Sequence, residues 1–166
     1  DTGAYSFSCA CPDHFEGDTC NRRQKTDDVL ILFDSGGPVR SDMGGRAGAN
    51  AICSASPDIP TGCERTAAFL SVDENDEIRD MPYNYPELDT SSRIVGANGL
   101  QVADDWADLL DGSLDNTLND VDAVADDPAV FHSGSYEDGS VTNTTCNGYT
   151  TYLGGAGGNT GRGNHL

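Results

Sequence analysis

Nine aspartates and no basic residue stand between positions 104 and 127. The gap in positive charge is wider still, because no Lys or Arg occurs from residue 94 to residue 161. Asp is a poor helix former, and so many like charges repel unless water or a cation surrounds them. This composition suits loop, with its carboxylates solvated or gathered on a metal ion. The bias runs through the whole sequence: 22 of its 28 acids are Asp, Lys occurs once at Lys25, and the formal charge is −19 over 166 residues. An Asp-rich, Lys-poor surface suits loops, high salt or bound divalent cations. It argues against nucleic acid and anionic membrane as partners, since both need a basic face. No apolar run approaches the roughly 18 residues of a membrane span, so no membrane insertion is expected. Apolar content of 36% is enough for a modest core.

The six cysteines lie at 9, 11, 20, 53, 63 and 146. No CxxC pair occurs, and His14, His132 and His165 are scattered, so the paired ligand spacing of a structural zinc site is missing. Disulfides formed in an oxidising compartment are the better reading, which places the chain outside the cell or on its surface. Cys53 and Cys63 close a loop of about ten residues and are a plausible bridge. Asn143-Thr144-Thr145 is an N-glycosylation sequon, with Asn143 the acceptor.

Two parts are expected. In residues 1–24, Tyr5 and Phe7 alternate with Ser as in a strand, and Pro12-Asp13 and Glu16-Gly17-Asp18 are turn chemistry. The RRQKTDD segment (22–28) is a polar linker. In residues 25–166, VLILF (29–33) is a short buried strand ended by Asp34-Ser35-Gly36-Gly37-Pro38. Ala47, Ala51, Ile52 and Ala55 line one face of a short helix over 44–55, with Cys53 on or near its buried side. AAFLSV (67–72) predicts a second buried strand, and 73–80 a charged loop. Residues 93–95 and 100–102 flank a Gly96-Ala97-Asn98-Gly99 turn. Residues 129–131 and 149–153 are further strand candidates, and the Gly-rich stretch 154–163 reads as loop. One short helix, many short strands and long loops make an α+β or mostly β extracellular module.

The CxC, an eight-residue gap and a third Cys, with an aromatic and Gly between, resemble the C-terminal half of an EGF-like module. The resemblance implies that Cys11 pairs with Cys20 and that Cys9 pairs with a cysteine upstream of Asp1. Further on, GGRAGANAIC, AAFLSV, VADDWADLLDGSLDN, VFHSG, TCNGYTT and GNTGRGNHL fall in the order seen in a family of secreted, mostly bacterial proteins. That family is similar to endostatin and shares the C-type-lectin-like fold. The resemblance implies an α+β C-type-lectin-like domain over 25–166, a small looped sheet with one or two helices, long loops as the ligand face, and a last strand that this chain lacks. With that strand absent, Cys53 and Cys146 lose the partners the family implies, and a strand from another chain or self-association becomes an expectation.

The densest acidic segment is Asp111-Gly112-Ser113-Leu114-Asp115-Asn116. Asp104, Asp105, Asp108, Asp111, Asp115 and Asn116 are the candidate ligands for Ca²⁺, a cation that takes six to eight oxygens from carboxylates, amides and carbonyls. Their spacing is not that of an EF-hand. A solvated acidic loop, a structural calcium and a calcium that touches sugar are the three readings of this run. Trp106 reads as core, since a lone Trp in a small apolar pool is usually buried. No nucleophile elbow, phosphate loop or spaced acid–base pair signals catalysis. The expected function is a non-enzymatic binding or adhesion module that recognises a glycan or an extracellular protein through its loops. The alternative is a structural subunit of an extracellular fibre or surface assembly.

Overall fold

The computed structural model describes residues 15–16, 22–23, 28–124, 130–151 and 160–162, and for the first two and the last of these segments the backbone alone. The protein is a small α+β fold built on a three-stranded sheet with few helices. The strands β1 (Phe15–Glu16) and β2 (Arg22–Arg23) form an antiparallel pair. Cys9, Cys11 and Cys20, with the bridge implied for Cys11 and Cys20, lie outside the described residues.

The main sheet has the order β3 (Val29–Leu32), β4 (Arg93–Gly96), β5 (Gln101–Ala103). β3 runs parallel to β4, with Val29 opposite Arg93 and Leu32 opposite Gly96. β4 turns back into β5 as a hairpin, pairing Ile94 with Ala103 and Val95 with Gln101. A Cβ on Gly96 would overlap the Val121 carbonyl, so only glycine lets the turn at 117–123 press on the end of β4. The parallel pair needs a long crossover, and α1 (Gly45–Ser54) lies within it. A third pair joins β6 (Val130–His132) to β7 (Thr160–Arg162), antiparallel, with His132 opposite Thr160. The Gly-rich tail thus contributes a strand that its composition concealed.

Among the described residues two apolar clusters make the core. The larger gathers Ile78, Met81, Ile94, Val102, Trp106, Leu109 and Val121 between the sheet and the short helices α2 (Met81–Asn84) and α3 (Trp106–Leu109). Trp106 is buried as expected, with Phe69 edge-on to its ring at 6.1 Å. The smaller cluster gathers Ala49, Ala68, Leu70, Val72 and Tyr149 beneath α1. Among the described residues no helix is long and apolar enough to cross a membrane.

Residues 67–72 are buried in part, as their apolar character predicts, but they form no strand. Side chains of α1 take the place of a neighbouring strand. Arg46 donates from Nη1 to the Ala68 carbonyl and from Nη2 to the Leu70 carbonyl, both at 2.5 Å. The Asn50 side-chain oxygen accepts the Ala68 N–H at 2.8 Å. A buried backbone must have its polar groups satisfied, and here two side chains do so without a ladder.

The predicted strand at 149–153 also fails at its start. Cys146–Tyr149 is a left-handed turn, α4, with φ of 49° at Cys146, 54° at Asn147, 64° at Gly148 and 60° at Tyr149. Left-handed backbone costs an ordinary residue roughly 1–2 kcal/mol, so a run of it must be held by its surroundings. Tyr149 N–H donates to the Thr145 carbonyl at 2.7 Å, its carbonyl accepts from Gly44 N–H at 3.0 Å, and its ring is fully buried.

Candidate functional site

Two buried polar side chains hold the Ile78–Asp80 turn and the loop at 133–142 together. Ser71 is fully buried at the end of the clamped segment. Its Oγ donates to the Gly139 carbonyl at 3.0 Å and accepts the Ile78 N–H at 2.8 Å, while its own N–H reaches the Ser133 carbonyl at 2.7 Å. Glu77, only 3% exposed, is the second anchor. One oxygen accepts the Val141 N–H at 2.8 Å and the other takes Arg79 Nε at 2.5 Å. A buried carboxylate is tolerable only when so paired. These bonds tie the Ile78–Asp80 turn to the loop at 133–142.

The tip of that loop is a tight turn. Gly139 N–H donates to the Tyr136 carbonyl at 3.0 Å, and Tyr136 N–H to the Ser140 carbonyl at 2.8 Å. Asp138 accepts both the Oγ and the N–H of Ser140, and these hydrogen bonds hold its carboxyl below the usual range. Across the turn, the Glu137 carboxyl comes within 3.5 Å of where a Cβ on Gly112 would stand. The loop at 136–140 therefore adjoins both the Ile78–Asp80 turn and the loop at 111–116. Tyr136 (58% exposed) projects from it next to the outward carboxylates of Glu137 and Asp138, and Tyr83 (87% exposed) projects from α2.

The six candidate calcium ligands are divided among four local tasks. Asp105 caps α3, accepting from Ala107 N–H at 2.9 Å and Asp108 N–H at 3.0 Å. Asp108 in turn accepts the Asp104 N–H at 2.7 Å. Asp111 folds its own turn by accepting the N–H and Oγ of Ser113. The remaining three meet at Gln101. Its Nε2 donates to Asp104 at 3.0 Å and to Asp115 at 2.6 Å, and its carbonyl accepts from Asn116 Nδ2 at 2.9 Å. Among the described residues no three His, Cys, Asp or Glu side chains form a ready group for a metal ion. Asp104 and Asp115 come nearest, as two carboxylates on one amide with no base in the surrounding sequence.

Cys53 and Cys63 are both thiols, and the bridge expected between them is not made here. Cys53 packs against the smaller apolar cluster. Burial pushes its thiol above the ordinary value, with Arg46 opposing more weakly, so it is a poor nucleophile. Asn143, the sequon acceptor, is exposed. Nothing in the sequence singled out Ser71, Glu77 or Gln101. A lone Glu inside a charged stretch looks solvated, and only the tertiary fold shows it buried. No protein-family model matches the chain, and no curated protein matches it in sequence.

Proposed function

We propose that this chain is a non-enzymatic extracellular binding module, a C-type-lectin-like domain behind an EGF-like spacer, and that its loop face recognises a glycan. One observation carries the reading: the loop at 133–142, fixed from beneath by Ser71 and Glu77 and adjoining the loop at 111–116, presents Tyr136 beside the carboxylates of Glu137 and Asp138, and Tyr83 is exposed on α2, directly after the tied Ile78–Asp80 turn. Aromatic rings offer flat faces for the C–H side of a sugar, and carboxylates accept its hydroxyls. Preorganised loops lower the ordering cost of binding. Calcium enters as a structural ion at Asp104 and Asp115, with carbonyls and water completing its oxygen shell.

The test is a glycan array probed with the intact chain, with Tyr136→Ala and Tyr83→Ala as companions. Binding that both substitutions weaken, without loss of folding, supports the reading. Binding to extracellular-matrix proteins alone moves the ligand to the protein class. Silence on both arrays, with and without calcium, removes a recognition role. Assembly into large homo-oligomers in native mass spectrometry then favours the structural subunit.

A further inference from the structure

The main sheet has one covered edge and one open edge. On the outer side of β5, Asp115 N–H donates to the Val102 carbonyl at 3.0 Å and Asn116 Nδ2 to the Gln101 carbonyl at 2.9 Å. The outer side of β3 has no such cover. Among the described residues, the backbone of Val29–Leu32 makes no hydrogen bond outside its parallel pairing with β4. A strand turns only part of its N–H and C=O groups towards any one neighbour, so the outward row of β3 is unpaired. Proteins commonly blunt such an edge with Pro, Lys, a bulge or an inward charge. The VLILF run (29–33) carries none of these, and the register of β3 on β4 is unbroken.

Beside this edge lies a half-open, mostly apolar cavity of about 450 Å³. Ile31, Leu32 and Phe33 stand in its wall, and no residue of β4 or β5 does. It therefore borders β3 on the side away from β4. Acid stands at both ends of the edge: Asp28, exposed, precedes Val29, and Asp34, in the cavity wall, follows Phe33. These ends decide what can pair there. A second copy, paired antiparallel about Ile31, would set Asp28 against Asp34 at either end, between chains that each carry a charge of −19. Like charges directly opposite each other destabilise a sheet.

We infer that the β3 edge takes one extended segment of a partner protein as a fourth strand, with an apolar side chain in the cavity and a basic residue at each end, facing Asp28 and Asp34. In strand addition of this kind the main chain supplies affinity and side-chain pockets supply specificity. Leu30 and Leu32 pack on the larger cluster, which leaves Ile31 on the other face of the strand and in the cavity wall. An apolar residue opposite Ile31 in the added strand lies on that same face. The inference does not rest on the loop face: either surface can act without the other.

The experiment is NMR titration of the intact chain with three end-capped peptides: Lys-Val-Thr-Val-Thr-Val-Lys, the same sequence with Glu at both ends, and the Lys-ended peptide N-methylated at its inner residues. The expected result is one Lys-ended peptide per chain, with slowed amide exchange within Val29–Leu32. It binds about tenfold more tightly than the Glu-ended peptide, the worth of two exposed charge pairs reversed in sign. The N-methylated peptide, stripped of its donors, neither binds nor slows exchange. Asp28→Lys, at an exposed position where the fold is kept, removes most of the preference for Lys ends. No binding of the Lys-ended peptide overturns the inference, as does equal affinity for the Glu-ended one. Binding undiminished by N-methylation, or a preference unchanged in Asp28→Lys, overturns it too. So does a dimer in native mass spectrometry whose Val29–Leu32 amides are already slow to exchange without peptide.

Discussion

Arg46 and Asp76 are joined by two parallel hydrogen bonds, Nη2 to Oδ1 at 2.8 Å and Nε to Oδ2 at 2.9 Å. The Arg46 side chain is 15% exposed and that of Asp76 24%. Because the same guanidinium also holds the Ala68 and Leu70 carbonyls, one side chain fixes both the course of a core segment and the turn at 73–76 that follows it. Arg suits this position because its fork of donors can meet a carboxylate and two carbonyls at once.

Arg46→Met is therefore expected to lower stability by about 2–4 kcal/mol, since it strands two carbonyls and a carboxylate in a half-dry site. Arg46→Lys recovers only part of the loss, because an ammonium cannot make the forked contact. Urea unfolding of the three proteins checks this; a change below about 0.5 kcal/mol in Arg46→Met would show that the segment finds other partners.

At Asn147 the left-handed backbone sets the outcome. Asn147→Ala is expected to cost ~1 kcal/mol and Asn147→Gly to cost little or nothing, because glycine meets no steric penalty at this φ. Thermal unfolding that ranks Ala above Gly would contradict the turn.

Burial pushes the Tyr149 hydroxyl up to about 12, with the neighbouring Cys146 adding to the rise and Arg46 opposing it. The folded chain holds this proton more tightly than the unfolded chain does. Stability is thus intact below the ordinary tyrosine value of 10.0 and falls as pH rises from there towards about 12. Tyr149→Phe removes this share of the alkaline slope. As the hydroxyl has no hydrogen-bond partner among the described residues, the substitution also leaves stability at neutral pH unchanged or raises it by about 1 kcal/mol. Denaturant curves from pH 8 to 12 on both proteins measure the difference.

For calcium, the expected outcome is a melting temperature raised by roughly 5–10 °C at about a hundredfold excess over Kd. Chelator reverses the rise and Asp115→Asn removes most of it. A melting temperature indifferent to both calcium and chelator would leave Asp104 and Asp115 as ligands of Gln101 alone.

Several elements were legible because their partners are local. β3 is a continuous apolar run, the Asn-Gly turn announces the β4–β5 hairpin, and the small-residue face of 44–55 matches α1 within a residue at either end. Trp106 followed from composition alone. Residues 67–72 misled because apolar character reports burial, not what pairs with the backbone; the partners are side chains of a helix some twenty residues earlier. The left-handed turn carries one Gly and one Asn among four residues, too weak a signal to displace a strand reading. The acidic run is mostly loop, but the short helix α3 (Trp106–Leu109) lies within it, and its carboxylates are spent largely on caps and turns beside them. The anchoring of the loop at 133–142 was invisible because Ser71 and Glu77 reach it across 64 residues or more of sequence.

The parallel pairing of β3 with β4 has a consequence for how the protein is made. β4 and β5 are neighbours along the chain and can meet early, whereas Val29–Leu32 must wait until α1 and everything up to Arg93 has emerged. During that delay an apolar strand edge is without its mate, the state from which chains aggregate. The heavy surplus of aspartate then acts as a colloidal guard, keeping unfinished copies apart until the central strand arrives to claim the first.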